Sequence, residues 1–184
     1  MDMQIINAKT RTATGKSFAK KLRATGRLPA VMYNEKGEAT MLDIDEKEFN
    51  SVWRTITSTT LVCLKVDDNN SFDAFIQDTE YNILKDRVLH VDFFVPQADK
   101  PMSAKYKIAY SGNSAGVLKG GFMLKHLPEV QVKAVPKKIP AKIVADISKL
   151  EIGDVLRVKD LQLGEGVSLV TDGEAPLVSI KQAH

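Results

Sequence analysis

The sequence predicts a mainly β protein with two short helices, an α+β chain in which a small N-terminal β-barrel precedes a C-terminal antiparallel β domain. Three observations predict it. Short apolar and polar alternations recur along the whole chain, as in ATMLDID (39–45), VLHVDFFV (88–95) and EVQVKAV (129–135), and a period of two is the signature of half-buried strands. Helical periodicity is confined to two short stretches before residue 60. PQADKPM at 96–102 places two prolines and polar residues between strand-like runs, the composition of a linker. The expected domains are therefore a barrel at 1–95, a linker at 96–102 and a β domain at 103–184. A chain of 184 residues with 43% hydrophobic and 27% charged side chains is long enough for two small cores.

Taken in order, residues 3–9 alternate as a first strand, and RTATGKS (11–17) reads as a loop. Ser17 is placed to cap a helix over Phe18–Thr25, which Gly26 stops because glycine accepts the left-handed conformation that ends helices. Phe18 and Leu22 then face inward, while Lys16, Lys20, Arg23 and Arg27 share the outer side. LPAVMY (28–33) and ATMLDID form strands around the turn NEKGEA. Asp45 with Glu48 resembles a capping box, and Ile44 with Phe49 a hydrophobic staple. The helix they start buries the stripe Phe49, Val52, Trp53 and Ile56. TTLVCLKV, the turn DDNNS (67–71), FDAFIQDT and VLHVDFFV supply the remaining strands. Five or six short strands with two helices fit a small closed barrel. Beyond the linker, SAKYKIAY, EVQVKAV, AKIVADI, DVLRV and PLVSI are strands separated by Gly and Pro turns.

Several chemistries find no support. Cys63 is the only cysteine, so neither an internal disulfide nor a cysteine-based zinc site forms, and its apolar surroundings suggest a core thiol. The first residues lack a signal-like apolar run and no segment has the ~20 apolar residues of a membrane span, so a cytoplasmic chain with no membrane partner is expected. Gly15-Lys16-Ser17 resembles the end of a phosphate loop, but Thr10 stands where that motif requires glycine and the backbone must approach phosphate closely. His90, His126 and His184 have no second imidazole or cysteine at a ligand spacing. No nucleophile, base and orienting residue occur together, so no catalytic residue, cofactor or metal is expected.

His90 and Asp92 lie two apart on one strand and so on one face. A metal or acid/base site, an incidental surface pair, and groups that read the hydrogen-bonding edges of a ligand all remain open for them. Charge is more directive. The net charge of +3 hides seven cations and no acid between Lys9 and Asn34, followed by eleven Asp and Glu against four Lys and Arg from Glu35 to Glu80. Cations this concentrated, interleaved with Gly, Ser and Thr, suit the phosphates of a nucleic acid. A solvated helix face is the plainer alternative.

In this order, RTATGKSFAKKLRATGRLPAVMYN, IQDT and VLHVDFF resemble the N-terminal domain of a bacterial ribosomal protein family of the large subunit that binds 5S ribosomal RNA, the general stress protein CTC family. GVLKGGFMLKHLPEVQVKAVPKKIPAKIVADISKLEIGDVLRVKDL is similar to the β domain that longer members carry behind it. The resemblance implies a barrel that clamps loop E of 5S RNA. By position it implies RNA contacts from Arg11, Tyr33, His90 and Asp92, with Gln77 on the same surface and Lys20 and Lys21 where the family has an arginine pair. Lys16 and Arg23 join them on the cationic helix. The lysines keep charge but lose bidentate geometry. Asn34 replaces a glycine and is expected to tolerate a left-handed backbone. Glu80-Tyr81-Asn82-Ile83 replaces a basic segment, removing an arginine and adding a carboxylate.

The expected function is a structural constituent of the large ribosomal subunit, ribosome-associated and not an enzyme. Its partner is 5S rRNA, with neighbouring ribosomal proteins or 23S rRNA for the C-terminal domain. Asp92, which repels phosphate, is expected to accept from a base amino group or 2′-hydroxyl. The Lys20 and Arg23 side should adjoin the His90 and Asp92 strand, and the acidic surplus should lie on faces turned away. The alternative is a stress-related adaptor that kept the fold and binds protein.

Overall fold

The structure, a computed structural model, describes residues 3–67 and 70–182. Residues 68 and 69 of the expected turn, and His184, lie outside the described residues. The chain divides into two compact units, Met1–Lys100 and Pro101–His184.

In the first unit, β1 (Ile5–Thr10), β2 (Arg27–Asn34), β3 (Ala39–Asp45), β4 (Leu61–Val66), β5 (Asn70–Asn82) and β6 (Arg87–Val95) close a barrel in the order β1-β3-β2-β6-β5-β4. The β1–β4 and β2–β6 neighbours are parallel and the other four antiparallel. Closure leaves no unpaired strand edge. Alternate residues supply the core: Ile6, Leu28, Leu42, Ile44, Val62, Leu64, Val91 and Phe93 are fully buried. The same parity corrects Cys63, which is half-buried on the outer face of β4 because Val62, Leu64 and Val66 point inward. Pro29 is tolerated inside β2 because pairing with β6 begins only at Ala30, so its missing N–H breaks no rung on that side.

Helix α1 (Lys16–Ala24) connects β1 to β2. Its cap is Gly15, at φ 98°, and not Ser17, which lies inside the first turn. Glycine at positive φ turns the chain into the helix two residues before the expected start. Gly26, at φ 76°, follows the helix end as expected, its N–H donating to the Arg23 carbonyl. Helix α2 (Glu46–Trp53) is capped by Asp45, whose Oδ1 accepts from the N–H groups of Lys47 at 2.9 Å and Glu48 at 3.0 Å. The reciprocal half of the capping box is replaced: Glu48 Oε1 accepts from Asn7 of β1, at 3.2 Å from its backbone N and 2.7 Å from Nδ2. Phe49 and Val52 enter the barrel core, with Trp53 and Ile56 packed against it. Asn34 is not left-handed; its Oδ1 accepts from the backbone N–H of Lys36 and Glu38, and Gly37 takes the positive φ of that turn.

The second unit holds β7 (Met102–Ser111), α3 (Ala115–Leu118), β8 (Gly121–Lys125), β9 (Glu129–Ala134), β10 (Ile143–Asp146), β11 (Val155–Arg157), β12 (Ser168–Leu169) and β13 (Pro176–Gln182). They form two sheets, β10-β7-β9-β12 and β11-β13-β8, around Tyr106, Val130, Val132, Ile143, Val158 and Leu177. All pairs are antiparallel except β10 with β7. Among the described residues no helix is long and apolar enough to cross a membrane.

Candidate nucleic-acid interface

Strand register brings the polar candidates together on the outer face of β2, β6 and β5. Phe93 is buried, so its neighbours along β6, Asp92 and Phe94, point outward, as does His90. Val31 lies opposite Asp92, and Tyr33 opposite Phe94, with the two rings 5.8 Å apart. On the other side, Ile76 pairs with Phe93 but Asp78 pairs with Asp92, so Gln77 is the extra residue of a β-bulge. A bulge turns two successive side chains toward one face, and Gln77 and Asp78 are both exposed. His90 Nδ1 lies 2.8 Å from Asp92 Oδ1, with side-chain exposures of 31% and 38%. That contact leaves Nε2 and the second Asp92 oxygen for a ligand.

The Tyr33 hydroxyl has its pKa raised, chiefly by burial and then by the negative fields of Asp92 and Asp78. It therefore stays protonated and can both donate and accept.

Helix α1 adjoins this face through two bonds to β6. Arg23 Nη1 donates to the carbonyl of Leu89 at 3.1 Å, one residue before His90, and the Arg23 carbonyl accepts from Arg87 of β6. Phe18, Ala19 and Leu22 are half-buried, whereas Lys16, Lys20 and Lys21 are exposed and form no ion pair with the described residues. The Lys20 and Arg23 side thus lies beside the His90 and Asp92 strand.

Three of the seven cations are committed within the protein. Arg27 belongs to β2 and pairs with Asp43 of β3, Nε to Oδ1 at 2.6 Å, so it does not share the helix face expected of it. Arg11 donates to the carbonyls of Leu42 at 2.8 Å, Ala13 at 2.8 Å and Ala30 at 3.5 Å. Of its five N–H donors two remain, so it braces the barrel mouth as well as facing solvent. Arg23 is the third.

Most of the acidic surplus is spent internally. Asp43 pairs with Arg27, Glu46 with Arg87 at 2.6 Å, Glu35 with Lys100, and Asp67 accepts from Thr10. Asp78 and Glu80 depart from the expectation that acids turn away: they stand opposite Asp92 and His90 in the β5–β6 ladder. Directly opposed like charges are destabilising on a sheet, and a hydrogen-bond donor or a cation placed between them would relieve the repulsion. Sequence reasoning missed Asp78 because it depends on the bulge at Gln77, which no local pattern signals. Among the described residues no group of three His, Cys, Asp or Glu is arranged to hold a metal.

The Ribosomal L25p family profile matches residues 6–93, and that of the ribosomal protein TL5 C-terminal domain matches residues 101–184. The chain is also similar to proteins named large ribosomal subunit protein bL25. That of Treponema denticola is 34% identical over 183 residues, covering 100% of this chain and 86% of its own length. That of Fervidobacterium nodosum is 38% identical over 183 residues, covering 96% and 84%. That of Treponema pallidum is 33% identical, covering 100% and 93%. With a profile match across the barrel and relatives alike along both units, the chain belongs to the ribosomal L25p family, whose members are structural proteins of the ribosome and not enzymes.

Proposed function

We propose that the first unit binds the loop E region of 5S rRNA, as a constituent of the large ribosomal subunit in the bacterial cytoplasm. The observation that carries this reading is the Arg23 to Leu89 bond, which sets a lysine-bearing helix against a strand face bearing His90, Asp92, Tyr33 and Gln77. The two surfaces divide the work. Lys16, Lys20 and Lys21 neutralise phosphates, with Arg11 and Arg23 contributing the N–H groups left over from their internal bonds. The strand face meets the wide, shallow minor groove, whose 2′-hydroxyls and base edges suit Tyr, His, Gln and carboxylate partners. Asp92, beside Asp78, selects for donors such as base amino groups and rejects a phosphate. The large-subunit name of the relatives and the sequence resemblance over Arg11–Asn34 and Val88–Phe94 support the same partner.

The test is a competition titration of the chain between 5S RNA and a regular RNA duplex of equal length. A preference of tenfold or more for 5S RNA is expected; equal affinity for the two removes the reading. Asp78 and Glu80 on the strand face favour one other reading, a protein-binding adaptor, because both carboxylates oppose phosphate. Binding to neither RNA would remove the RNA reading and leave that one to be tested with a protein partner.

A further inference from the structure

We propose that the tip of the β5–β6 hairpin is a docking knob for an apolar pocket on a neighbouring protein of the large subunit, an inference that rests on the ribosomal placement proposed above. Ile83 is 84% exposed and Leu84 97% exposed. Single exposed aliphatics are ordinary on a protein surface, but two adjacent ones at the end of a hairpin form a projecting apolar pair.

The tip is also built and held. Asn82 caps the turn, its Oδ1 accepting from the Lys85 N–H at 3.0 Å. Asp86 adopts a left-handed backbone at φ 47°, a conformation that aspartate accepts more readily than most non-glycine residues. Its carboxylate accepts from the Tyr81 hydroxyl and lies 4.0 Å from Arg54. The Tyr81 ring rests 5.6 Å from that of Trp53, and Arg87 pairs with Glu46 of α2. Rigid presentation lowers the ordering cost of association, and burying two aliphatics then contributes in full.

Charge and shape favour protein over RNA as the occupant. Lys85 and Asp86 offset one another, Arg87 is paired with Glu46, and Glu80 adds a carboxylate, so the tip offers no cationic surplus for phosphates. Neither Ile83 nor Leu84 has a ring or guanidinium to stack on a base. The knob continues the same hairpin that carries Asp78, His90 and Asp92, so a chain seated on RNA by that face would present it to whatever lies alongside.

The experiment adds the full chain to large ribosomal subunits purified from cells lacking it and measures the fraction retained on sedimentation, with binding to isolated 5S RNA measured in parallel. The I83S/L84S variant should bind isolated 5S RNA like the wild type yet lose at least tenfold in apparent affinity for subunits, while Leu84→Met keeps wild-type retention. A photoreactive benzoylphenylalanine replacing Leu84 should join to a ribosomal protein in those subunits. Unchanged retention of I83S/L84S, or a photoproduct with ribosomal RNA, would overturn the proposal. Loss of 5S RNA binding by the wild type with tip-dependent retention intact would instead overturn the RNA reading and leave the knob standing.

Discussion

Thr10 at the end of β1 donates twice to Asp67 beyond β4, from its N–H to Oδ1 at 2.9 Å and from its hydroxyl to Oδ2 at 2.7 Å. These bonds, first the backbone and then the side-chain one, lower the Asp67 pKa below its ordinary 3.8, with Lys9 adding to them. A depressed carboxylate contributes stability above its unfolded pKa and loses it as pH falls through the folded value. Asp67→Asn should therefore lower the unfolding midpoint of the first unit at pH 7, and its gap from the wild type should close below pH 3.8. Denaturant titrations at pH 7 and pH 3 check this; a gap independent of pH contradicts it. At this scale the sequence is only partly legible. His90 and Asp92 follow from strand parity alone, whereas the commitment of Arg27 to Asp43 and of Arg11 to three carbonyls depends on register between distant strands. Asp78 is hidden for the same reason, behind the bulge at Gln77.

Among the elements, α2 shows how local signals and tertiary partners combine. Asp45 and the stripe of Phe49, Val52 and Trp53 announce the helix in the sequence, and Asp45 does cap it. Glu48, however, turns from its cap to Asn7, tying α2 to β1, because a cross-barrel partner competes with the local one. Asp45→Ala should destabilise the first unit by about 0.5–2 kcal/mol, read from urea unfolding, while a change near zero would mean that packing alone holds the helix. The first-unit strands are legible because one face is buried and alternation is strong; β1 and β3 to β6 each coincide in large part with an alternating run. In the second unit α3 has four residues and β12 two, too few for either periodicity to register. Gly15 shifts the start of α1 because a positive φ, and not a side-chain cap, sets it.

The whole molecule consists of two units, each with its own core, and the first divides its surface between a cationic helix and a polar strand face. Net charge gives no hint of this division, since +3 averages over the basic window and the acids that follow it. What makes it legible is order along the chain: the basic window precedes the barrel's second strand, and connecting helices in small barrels stay close to the strands they join. The division predicts separable effects on RNA binding. The measurement that tests it most directly is the salt dependence of 5S RNA affinity for the wild type, the K16A/K20A/K21A variant and Asp92→Ala, each also titrated against a regular duplex. The lysine variant should lose about 0.7–0.9 in log-log salt slope for each phosphate contact removed, some two to three in all, and keep its preference for 5S RNA. Asp92→Ala should keep the wild-type slope and lose about tenfold or more of the preference, as expected when a charged hydrogen bond worth about 1.5–3 kcal/mol is removed. An unchanged slope in the lysine variant, or a preference untouched by Asp92→Ala, would contradict the assignment of phosphate binding to the helix and base reading to the strands.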